Sequence, residues 1–284
     1  MSKLVLGTVQ FGVNYGINNT EGQVPLMEVC EILKIAKKNE IETLDTSSGY
    51  GESERVLGMA MKSSGTQFKI VSKYPRSIKT VADSFIDSIS NLGVDHLYGY
   101  LVHHFDFYLE KPSQFDEMRH LKETGKIEKI GFSLYSVKEL EYLMNNNVEF
   151  DILQFPYNIF DRQFEPYMQM LVEKGVEIHT RSAFLQGLFF RNPESLPDKI
   201  KPLRPYLEVL HAYCKEKGVS IEQLSLGYVI NNPYVKGNLI GVDNHHQLVN
   251  NIEVSKKQLK EEDINFIKSI SVKEKDLLSP VNWN

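Results

Sequence analysis

Cysteine is scarce in this sequence. Only Cys30 and Cys214 occur among 284 residues, and neither stands in a CxxC motif or near histidines at a metal-ligand spacing. A disulfide framework or a zinc site needs several such residues at short, regular spacings. The sequence therefore predicts two ordinary thiols, in the core or at the surface, and no metal centre.

Positive charge and long apolar runs are also lacking. The 32 Lys and Arg residues are outnumbered by 37 Asp and Glu residues, so a basic surface for nucleic acid is not expected. The first residues, MSKLVLGTVQFG, hold an apolar run that is too short for a signal-peptide core or a membrane span. We expect a cytoplasmic protein that binds neither nucleic acid nor membrane.

Strand-like and helix-like segments alternate along the chain. Residues 26–39 carry apolar side chains at helical spacing. Ser136 followed three residues later by Glu139 forms a capping box, which predicts the start of another helix. Short β-rich runs lie between such helices. The eight predicted strands are 4–8, 42–45, 69–73, 98–103, 129–133, 152–156, 177–180 and 237–241.

This alternation predicts an α/β protein with a parallel sheet. Eight strand–helix units favour a single-domain (β/α)8 barrel over residues 1–284, with a C-terminal helix and tail at 253–284. An open doubly wound sheet is the alternative, but Gly7 in the first strand and Gly12 and Gly16 after it do not match the G-x-G-x-x-G dinucleotide motif. In a barrel the active site lies at the C-terminal face of the strands.

Four protonatable residues stand at or just after three neighbouring strand ends. Asp45 ends the second strand, Tyr50 lies in the loop TSSGYGES after it, Lys73 ends the third strand and His103 ends the fourth. Each taken alone has an ordinary structural explanation, as a turn cap, a packing residue, a solvated cation or a core histidine. All four together at one face predict an active site.

These residue types suit proton transfer to a carbonyl oxygen. A tyrosine hydroxyl has a pKa near 10, and the ammonium group of Lys73 is expected to lower it by stabilising the phenolate. Asp45 would keep Lys73 charged and oriented. The imidazole of His103 can hydrogen-bond a substrate carbonyl oxygen.

The same residues carry a family resemblance. The stretch LDTSSGYGESERVLG resembles the Asp-Thr-Ala-x-x-Tyr-Gly-x-Ser-Glu signature of aldo-keto reductases, VSKYP resembles their lysine strand, and YLVHHFD resembles their histidine strand. The similarity extends over about residues 4–252 and is most specific in the first half. It implies Tyr50 as general acid, with Asp45, Lys73 and His103 completing a catalytic tetrad, and it leaves His104 as a rival to His103.

The resemblance also implies a nicotinamide cofactor. Thr8 and Asp45 would lie near the nicotinamide ribose, Ser133 and Gln154 would bind the carboxamide, and Asn251 would contact the adenine. The loop 182–187 fits the phosphate site that such barrels form after strands seven and eight. Further residues of the predicted cofactor site are Arg181, Ser182, Leu185, Gly187, Gly241 and Gln247.

Some positions depart from the family pattern. Leu134 replaces a common Asn after Ser133, and Arg181 replaces a Tyr that stacks on the nicotinamide in many members. Gly241 and Gln247 stand where many members hold the 2′-phosphate of NADP with basic residues. The cofactor is therefore NADP or NAD: the family implies NADPH, but the expected discrimination is weak because a 2′-phosphate needs Arg or Lys.

Aromatic residues are concentrated in loops expected at the barrel mouth. They either stack on a substrate or pack beneath the barrel: Phe11, Tyr15, Tyr157, Phe160, Phe184, Phe189 and Phe190. Trp283, next to the last residue, suits either a disordered end or a tail folded over the pocket.

Together these features predict an oxidoreductase that transfers hydride between NAD(P)H and a small-molecule aldehyde or ketone. A sugar derivative, a simple aldehyde and a redox-neutral epimerisation all remain open as substrates or reactions. Two alternatives use the same residues. Lys73 could form a Schiff base in an aldolase-like barrel, or the chain could be a non-catalytic subunit that senses a nicotinamide nucleotide.

Overall fold

A closed barrel of eight parallel strands organises residues 2–283, the part of the chain that the computed structural model describes. The predicted (β/α)8 fold is therefore confirmed. Each strand pairs with the next one along the chain, and β8 pairs with β1 to close the ring. The strands are β1 Leu4–Gly7, β2 Thr43–Asp45, β3 Lys69–Tyr74, β4 Leu97–Val102, β5 Ile127–Ser133, β6 Ile152–Pro156, β7 Glu177–Arg181 and β8 Gly237–Gly241.

Helices surround the barrel. They are α1 Val9–Gly12, α2 Leu26–Lys38, α3 Ser53–Ser64, α4 Val81–Leu92, α5 Phe105–Glu110, α6 Ser113–Glu123, α7 Val137–Asn145, α8 Glu165–Glu173, α9 Arg204–Lys217, α10 Ile221–Asn231, α11 His245–Ser255 and α12 Glu261–Ser269. Short 3₁₀ segments follow β7 and end the chain, at Leu185–Phe190, Pro193–Ser195, Asp198–Leu203, Lys275–Leu278 and Pro280–Trp283.

Two predicted strands, 152–156 and 237–241, have the observed limits, and the other six differ from the observed strands by one or two residues. β1 ends at Gly7 because Thr8, with φ −121° and ψ 13°, already turns into α1, a helix that the sequence did not predict. β4 ends at Val102, one residue before His103, and β7 continues to Arg181. The predicted start of α7 is confirmed, since the Glu139 carboxylate accepts the backbone N–H of Ser136 at 3.2 Å.

Two hydrophobic regions hold the fold together. The larger one lies between the strands and the surrounding helices. A small one, formed by Val71, Leu101 and Ile152, lies inside the barrel. Side chains two residues apart on a strand point to the same side. The residues two positions beyond this inner cluster therefore face the C-terminal mouth of the barrel; they are Lys73, His103 and Gln154.

Candidate active site

A cavity of about 490 Å³ opens at the C-terminal ends of the strands. Most of the predicted site residues line it: Thr8, Asp45, Tyr50, His103, Ser133, Gln154, Arg181, Ser182, Gly187, Gly241, Gln247 and Asn251. Lys73 and Leu185 do not. Lys73 is completely buried below the cavity, and Leu185 is completely buried in the hydrophobic core.

A buried ion pair forms the floor of the cavity. The Lys73 ammonium group contacts one Asp45 carboxylate oxygen, and both side chains are almost fully shielded from solvent. The other Asp45 oxygen accepts the Gln154 side-chain amide at 2.7 Å, and Lys73 also donates to the Thr46 carbonyl at 2.9 Å. Burial lowers the pKa of Lys73, and the Asp45 charge opposes this shift. The pair therefore holds the ammonium group in one fixed place.

Tyr50 is held above this pair by a close approach of two glycines. A Cβ atom on Gly12 would lie only 1.8 Å from the Tyr50 carbonyl oxygen, and Gly51, at φ +56°, would meet the Gly12 carbonyl at 2.7 Å. Only glycine fits both positions. The result is a phenol oxygen 3.5 Å from the Lys73 nitrogen, at the wall of the cavity.

The expected lowering of the Tyr50 pKa is not found. Burial raises the pKa of the Tyr50 hydroxyl, the Asp45 carboxylate raises it further, and Arg181 acts in the opposite direction. Asp45 was expected only to keep Lys73 charged and oriented, but its carboxylate also offsets the effect of that ammonium group on the phenol. Tyr50 therefore keeps its proton at neutral pH.

His103, and not its neighbour His104, lines the cavity. The His103 ring stands edge-on to Tyr50 with centroids 5.4 Å apart, and its Nδ1 lies 3.1 Å from the Ser47 hydroxyl. Burial, followed by the charge of Lys73, holds the pKa of His103 well below 6.5. The imidazole is thus neutral beside the phenol. His104 is exposed and precedes α5.

The loop after β7 has an unusual backbone. Ser182, Leu185 and Gln186 have positive φ angles of 65°, 47° and 52°, and Gly187 has φ 90°. Turns of this kind can direct successive backbone N–H groups towards an anion. The loop is tied to the segment between α1 and α2, because the Asn18 amide donates to the Gly187 carbonyl at 2.7 Å.

Arg181 occupies the wall between this loop and β5. Its guanidinium carbon lies 4.2 Å from the centre of the Tyr135 ring, and its Nη2 donates to the Leu134 carbonyl at 3.1 Å. The Leu134 side chain itself is fully buried. Arg181 is the only Lys or Arg among the described residues that line the cavity.

The opposite end of the cavity is formed by residues at the end of β8 and on α10 and α11. Gly241, Gln247 and Asn251, three residues of the predicted cofactor site, lie there together with Asp243 and Glu222. A Cβ atom on Gly241 would lie 2.5 Å from the Gln10 amide nitrogen, so a larger residue there would have to displace the Gln10 side chain. Sequence reasoning missed Asp243 and Glu222, although Asp243 follows a predicted strand end by two residues.

The aromatic residues predicted at the mouth divide into two groups. Three line the cavity: Tyr15, Phe184 and Phe190. The other four are buried and belong to the core: Phe11, Tyr157, Phe160 and Phe189. Trp283 packs partly buried against the core and donates to the Leu277 carbonyl at 2.8 Å, and it is not among the residues that line the cavity.

Two features are absent from residues 2–283. No helix in that range is long and apolar enough to cross a membrane. Within the same residues, no group of three or more His, Cys, Asp or Glu side chains is arranged to hold a metal ion.

Solved structures of similar fold include aldo-keto reductases. AKR11C1 from Bacillus halodurans, in its holo form, superposes with a TM-score of 0.75 at 20% identity, covering 96% of this chain and 95% of that chain. PA4992, a putative aldo-keto reductase from Pseudomonas aeruginosa, gives a TM-score of 0.68 at 22% identity, covering 89% of each chain. At this identity the likeness shows the fold.

Two curated proteins of Bacillus subtilis are similar in sequence. The uncharacterized oxidoreductase YqkF is 23% identical over 95% of this chain and 96% of its own length. The aldo-keto reductase YhdN is 24% identical over 48% of this chain, and the match spans 45% of YhdN, less than half its length. The model of the aldo/keto reductase family matches residues 3–272, nearly the whole sequence. This chain therefore belongs to the aldo/keto reductase family.

Proposed function

We propose that the protein transfers hydride between NAD(P)H and the carbonyl carbon of an aldehyde or ketone, with Tyr50 as the general acid. The observation that carries the proposal is the phenol of Tyr50 at the cavity wall, 3.5 Å from the ammonium group of a fully buried Lys73–Asp45 pair. Family membership supports the same reaction.

The cavity fits a nicotinamide cofactor. The Gln154 Oε1 atom is buried and has no hydrogen-bond partner among the described residues, although the Gln154 amide nitrogen binds Asp45. An orphaned acceptor of this kind suits a carboxamide N–H. Ser133, on the neighbouring strand, would complete that contact, and the loop after β7 would hold the phosphates. The cavity volume lies within the usual range for ligand sites.

When bound, the cofactor supplies the hydride that reduces the carbonyl carbon. Tyr50 Oη then gives its proton to the carbonyl oxygen, which yields the alcohol and leaves a phenolate. Lys73, 3.5 Å away, stabilises this phenolate, and Arg181 adds to the stabilisation. Tyr50 recovers its proton from solvent. The phenol is protonated at neutral pH, and because burial raises its pKa, its donation depends on the nearby charges of Lys73 and Arg181, which favour the phenolate.

His103 would position the carbonyl group. If the Ser47 hydroxyl donates to His103 Nδ1, the ring proton lies on Nε2 and can bind the carbonyl oxygen. A neutral imidazole suits this role, since it directs the substrate oxygen without competing with Tyr50 as the acid.

A Schiff-base mechanism is less compatible with the site. Such a mechanism requires a neutral lysine that reaches the substrate. The Lys73 nitrogen is buried, contacts Asp45 and donates to the Thr46 carbonyl. Treatment with borohydride and a carbonyl substrate, without nicotinamide cofactor, should leave no adduct on Lys73. A trapped adduct would support the aldolase alternative.

Replacement of Tyr50 by phenylalanine tests whether its hydroxyl is the general acid. Tyr50→Phe should bind cofactor as the wild type does and fold normally, because the ring remains. Turnover should fall by about 10² to 10⁴, the usual contribution of a general acid. The loss should be equal in kcat and kcat/KM, as expected for an interaction made in the transition state. Steady-state kinetics, calorimetric titration and melting curves would measure these quantities.

Two further variants serve as matched comparisons. Tyr135→Phe also removes one hydroxyl from the cavity wall but keeps the ring under Arg181, so its turnover should stay close to that of the wild type. Asp45→Asn should show a smaller defect than Tyr50→Phe, because the proton donor remains. Near-normal turnover of a folded Tyr50→Phe protein would reject Tyr50 and make His103 the next candidate. A protein that binds cofactor but reduces no carbonyl compound would support the sensing alternative.

A further inference from the structure

One end of the cavity carries negative charge without a compensating cation. Where β8 meets α10 and α11, the described lining residues include two carboxylates and three carboxamides but no Lys or Arg: Glu222, Asp243, Gln247, Asn250 and Asn251. This end therefore offers hydrogen-bond acceptors and negative charge to its ligand.

Asp243 has an acceptor that the protein leaves open. Its Oδ1 is buried and has no hydrogen-bond partner among residues 2–283. Its Oδ2 lies 3.4 Å from the Gln247 amide nitrogen, and Gln247 Oε1 accepts the Asp243 backbone N–H at 2.9 Å. Burial raises the pKa of Asp243, and the Gln247 hydrogen bond only partly opposes this shift. A ligand hydroxyl would supply the missing donor.

Arg181 does not neutralise this end. Its hydrogen bond and its ring contact are to Leu134 and Tyr135, which follow β5, and its charge acts on Tyr50. Gln247, which stands where a basic residue would bind a phosphate, is itself engaged with Asp243. The described residues that line the β8 end of the cavity thus include no cationic side chain to neutralise a dianion.

We propose that the protein selects NADH over NADPH and that Asp243 sets this preference. The inference rests on the proposed function, in which the nicotinamide lies at Ser133 and Gln154 and the adenosine at Asn251. The ribose 2′-hydroxyl of NADH donates to Asp243. The 2′-phosphate of NADPH would bring up to about two negative charges beside Asp243 and Glu222, and like charges in a partly buried site repel each other.

Calorimetric titration of the full chain with NADH and with NADPH, at one ionic strength, tests the proposal. NADH should bind about 100-fold more tightly, which is the order expected for one hydrogen bond to a charged group plus the loss of repulsion. Equal affinities, or tighter binding of NADPH, would overturn the role of Asp243 and leave the proposed function intact. Binding of neither nucleotide would instead contradict the proposed function.

Three variants locate the preference. Asp243→Ser should bind NADH less tightly and NADPH more tightly than the wild type. The ratio of the NADPH to the NADH dissociation constant should fall by about 10-fold or more. Glu222→Gln should reduce the ratio less, and it provides the test if Asp243→Ser does not fold. Glu253→Gln removes an equal charge from an exposed position on α11, paired with Lys256, and should leave the ratio unchanged. An unchanged ratio in folded Asp243→Ser, or in folded Glu222→Gln where Asp243→Ser does not fold, would overturn the proposal.

Discussion

Burial affects the protonation of the ionisable side chains in this site more than neighbouring charges do. Lys73 and His103 are both shifted towards their neutral forms by burial, and Tyr50 is held in its protonated form for the same reason. Asp45 opposes the effect of burial on Lys73, because its carboxylate lies against the Lys73 ammonium group and favours the charged form. The arrangement therefore combines a protonated donor, a neutral imidazole and one buried cation.

The shifted pKa of His103 predicts a loss of stability in acid. The folded pKa lies well below the unfolded value of 6.5, so the unfolded chain takes up the proton first as pH falls. The contribution of neutral His103 to the free energy of unfolding is fully present above pH 6.5. It is lost below that pH, by at most about 1.4 kcal/mol per pH unit, until the folded pKa is reached. Between pH 6.5 and 5.5, the free energy of unfolding of His103→Asn should therefore fall less steeply with decreasing pH than that of the wild type.

Urea unfolding at pH 7.5, 6.5 and 5.5 would measure the slope. His120→Asn is a suitable control, because the His120 side chain is 74% exposed and lies outside the cavity. It should leave the pH dependence as in the wild type. The same slope in His103→Asn as in the wild type would show that His103 does not carry the effect.

The sequence was sufficient to locate the central residues because strand ends are recognisable. Asp45, Lys73 and His103 follow apolar strand runs, and Tyr50 lies in a glycine-marked loop, so all four could be placed at one face of a barrel. The direction of the Tyr50 pKa shift could not be predicted. It depends on how closely Asp45 approaches Lys73 and on how much solvent the loops exclude, and neither quantity follows from sequence spacing.

At the scale of single elements, the loop after β7 is the least regular part of the site. Four of its residues between 182 and 187 have positive φ angles, yet only one of the four is glycine. Positive φ is unfavourable for other residue types, so this backbone is maintained by its surroundings. Gly187 packs so closely on Asn18 that a Cβ atom would lie 2.7 Å from the Asn18 amide nitrogen.

Gly187→Ala should therefore weaken cofactor binding. The new methyl group would meet Asn18 and disturb the bond between the loop and the segment before α2, in addition to a backbone strain of about 1 kcal/mol. The dissociation constant of the cofactor should rise by about 10-fold, equivalent to 1.4 kcal/mol. Calorimetry would give the affinity, and melting curves would give the stability.

Gly175→Ala is the control that separates the effect of backbone strain from the effect of the contact between Gly187 and Asn18. Gly175 also has a positive φ, of 81°, but a Cβ atom there would meet nothing within 4 Å. This variant should lose similar stability and keep full cofactor affinity. If both variants bind cofactor equally well, the loop after β7 does not hold the phosphates.

The irregular elements were also the hardest to predict. The strands were predicted to within two residues at each end, since apolar β-rich runs mark them clearly. The four-residue helix α1 was missed because VQFG contains too few residues to show helical periodicity. The position of Asp243 in the cavity depends on the turn between β8 and α11, whose path no periodic pattern indicates.

At the scale of the whole molecule, the two ends of the barrel hold different clusters of buried ionisable residues. The C-terminal end holds the Asp45–Lys73 pair and the cavity. The N-terminal end holds a second cluster around Glu177, the first residue of β7. Its carboxylate accepts Tyr98 Oη and binds His179 Nε2, each at 2.8 Å, and it contacts Lys129. This cluster links β4, β5 and β7. Burial opposes ionisation of Glu177, but the hydrogen bonds of His179 and Lys129 lower its pKa to about 2.

In barrels of this type the C-terminal face carries chemistry and the opposite face carries stability. Glu177→Gln should therefore reduce the free energy of unfolding by about 2 to 3 kcal/mol, somewhat below the cost of breaking a fully buried ion pair, because Lys129 is partly exposed. For a chain of this length the melting temperature should fall by about 5 °C. Turnover measured well below that temperature should match the wild type, whereas Lys73→Met should lose most turnover and still bind cofactor.

Glu128→Gln provides the control for this comparison. Glu128 lies on β5 next to Lys129, but its partner His96 is 3.7 Å away and both side chains are more than half exposed. Exposed pairs contribute little, so this variant should lose less than about 1 kcal/mol. Urea unfolding and initial-rate kinetics on the three variants would separate the two ends of the barrel. If Glu177→Gln lowered turnover as much as Lys73→Met while remaining folded, stability and chemistry would not be divided between the two faces of the barrel.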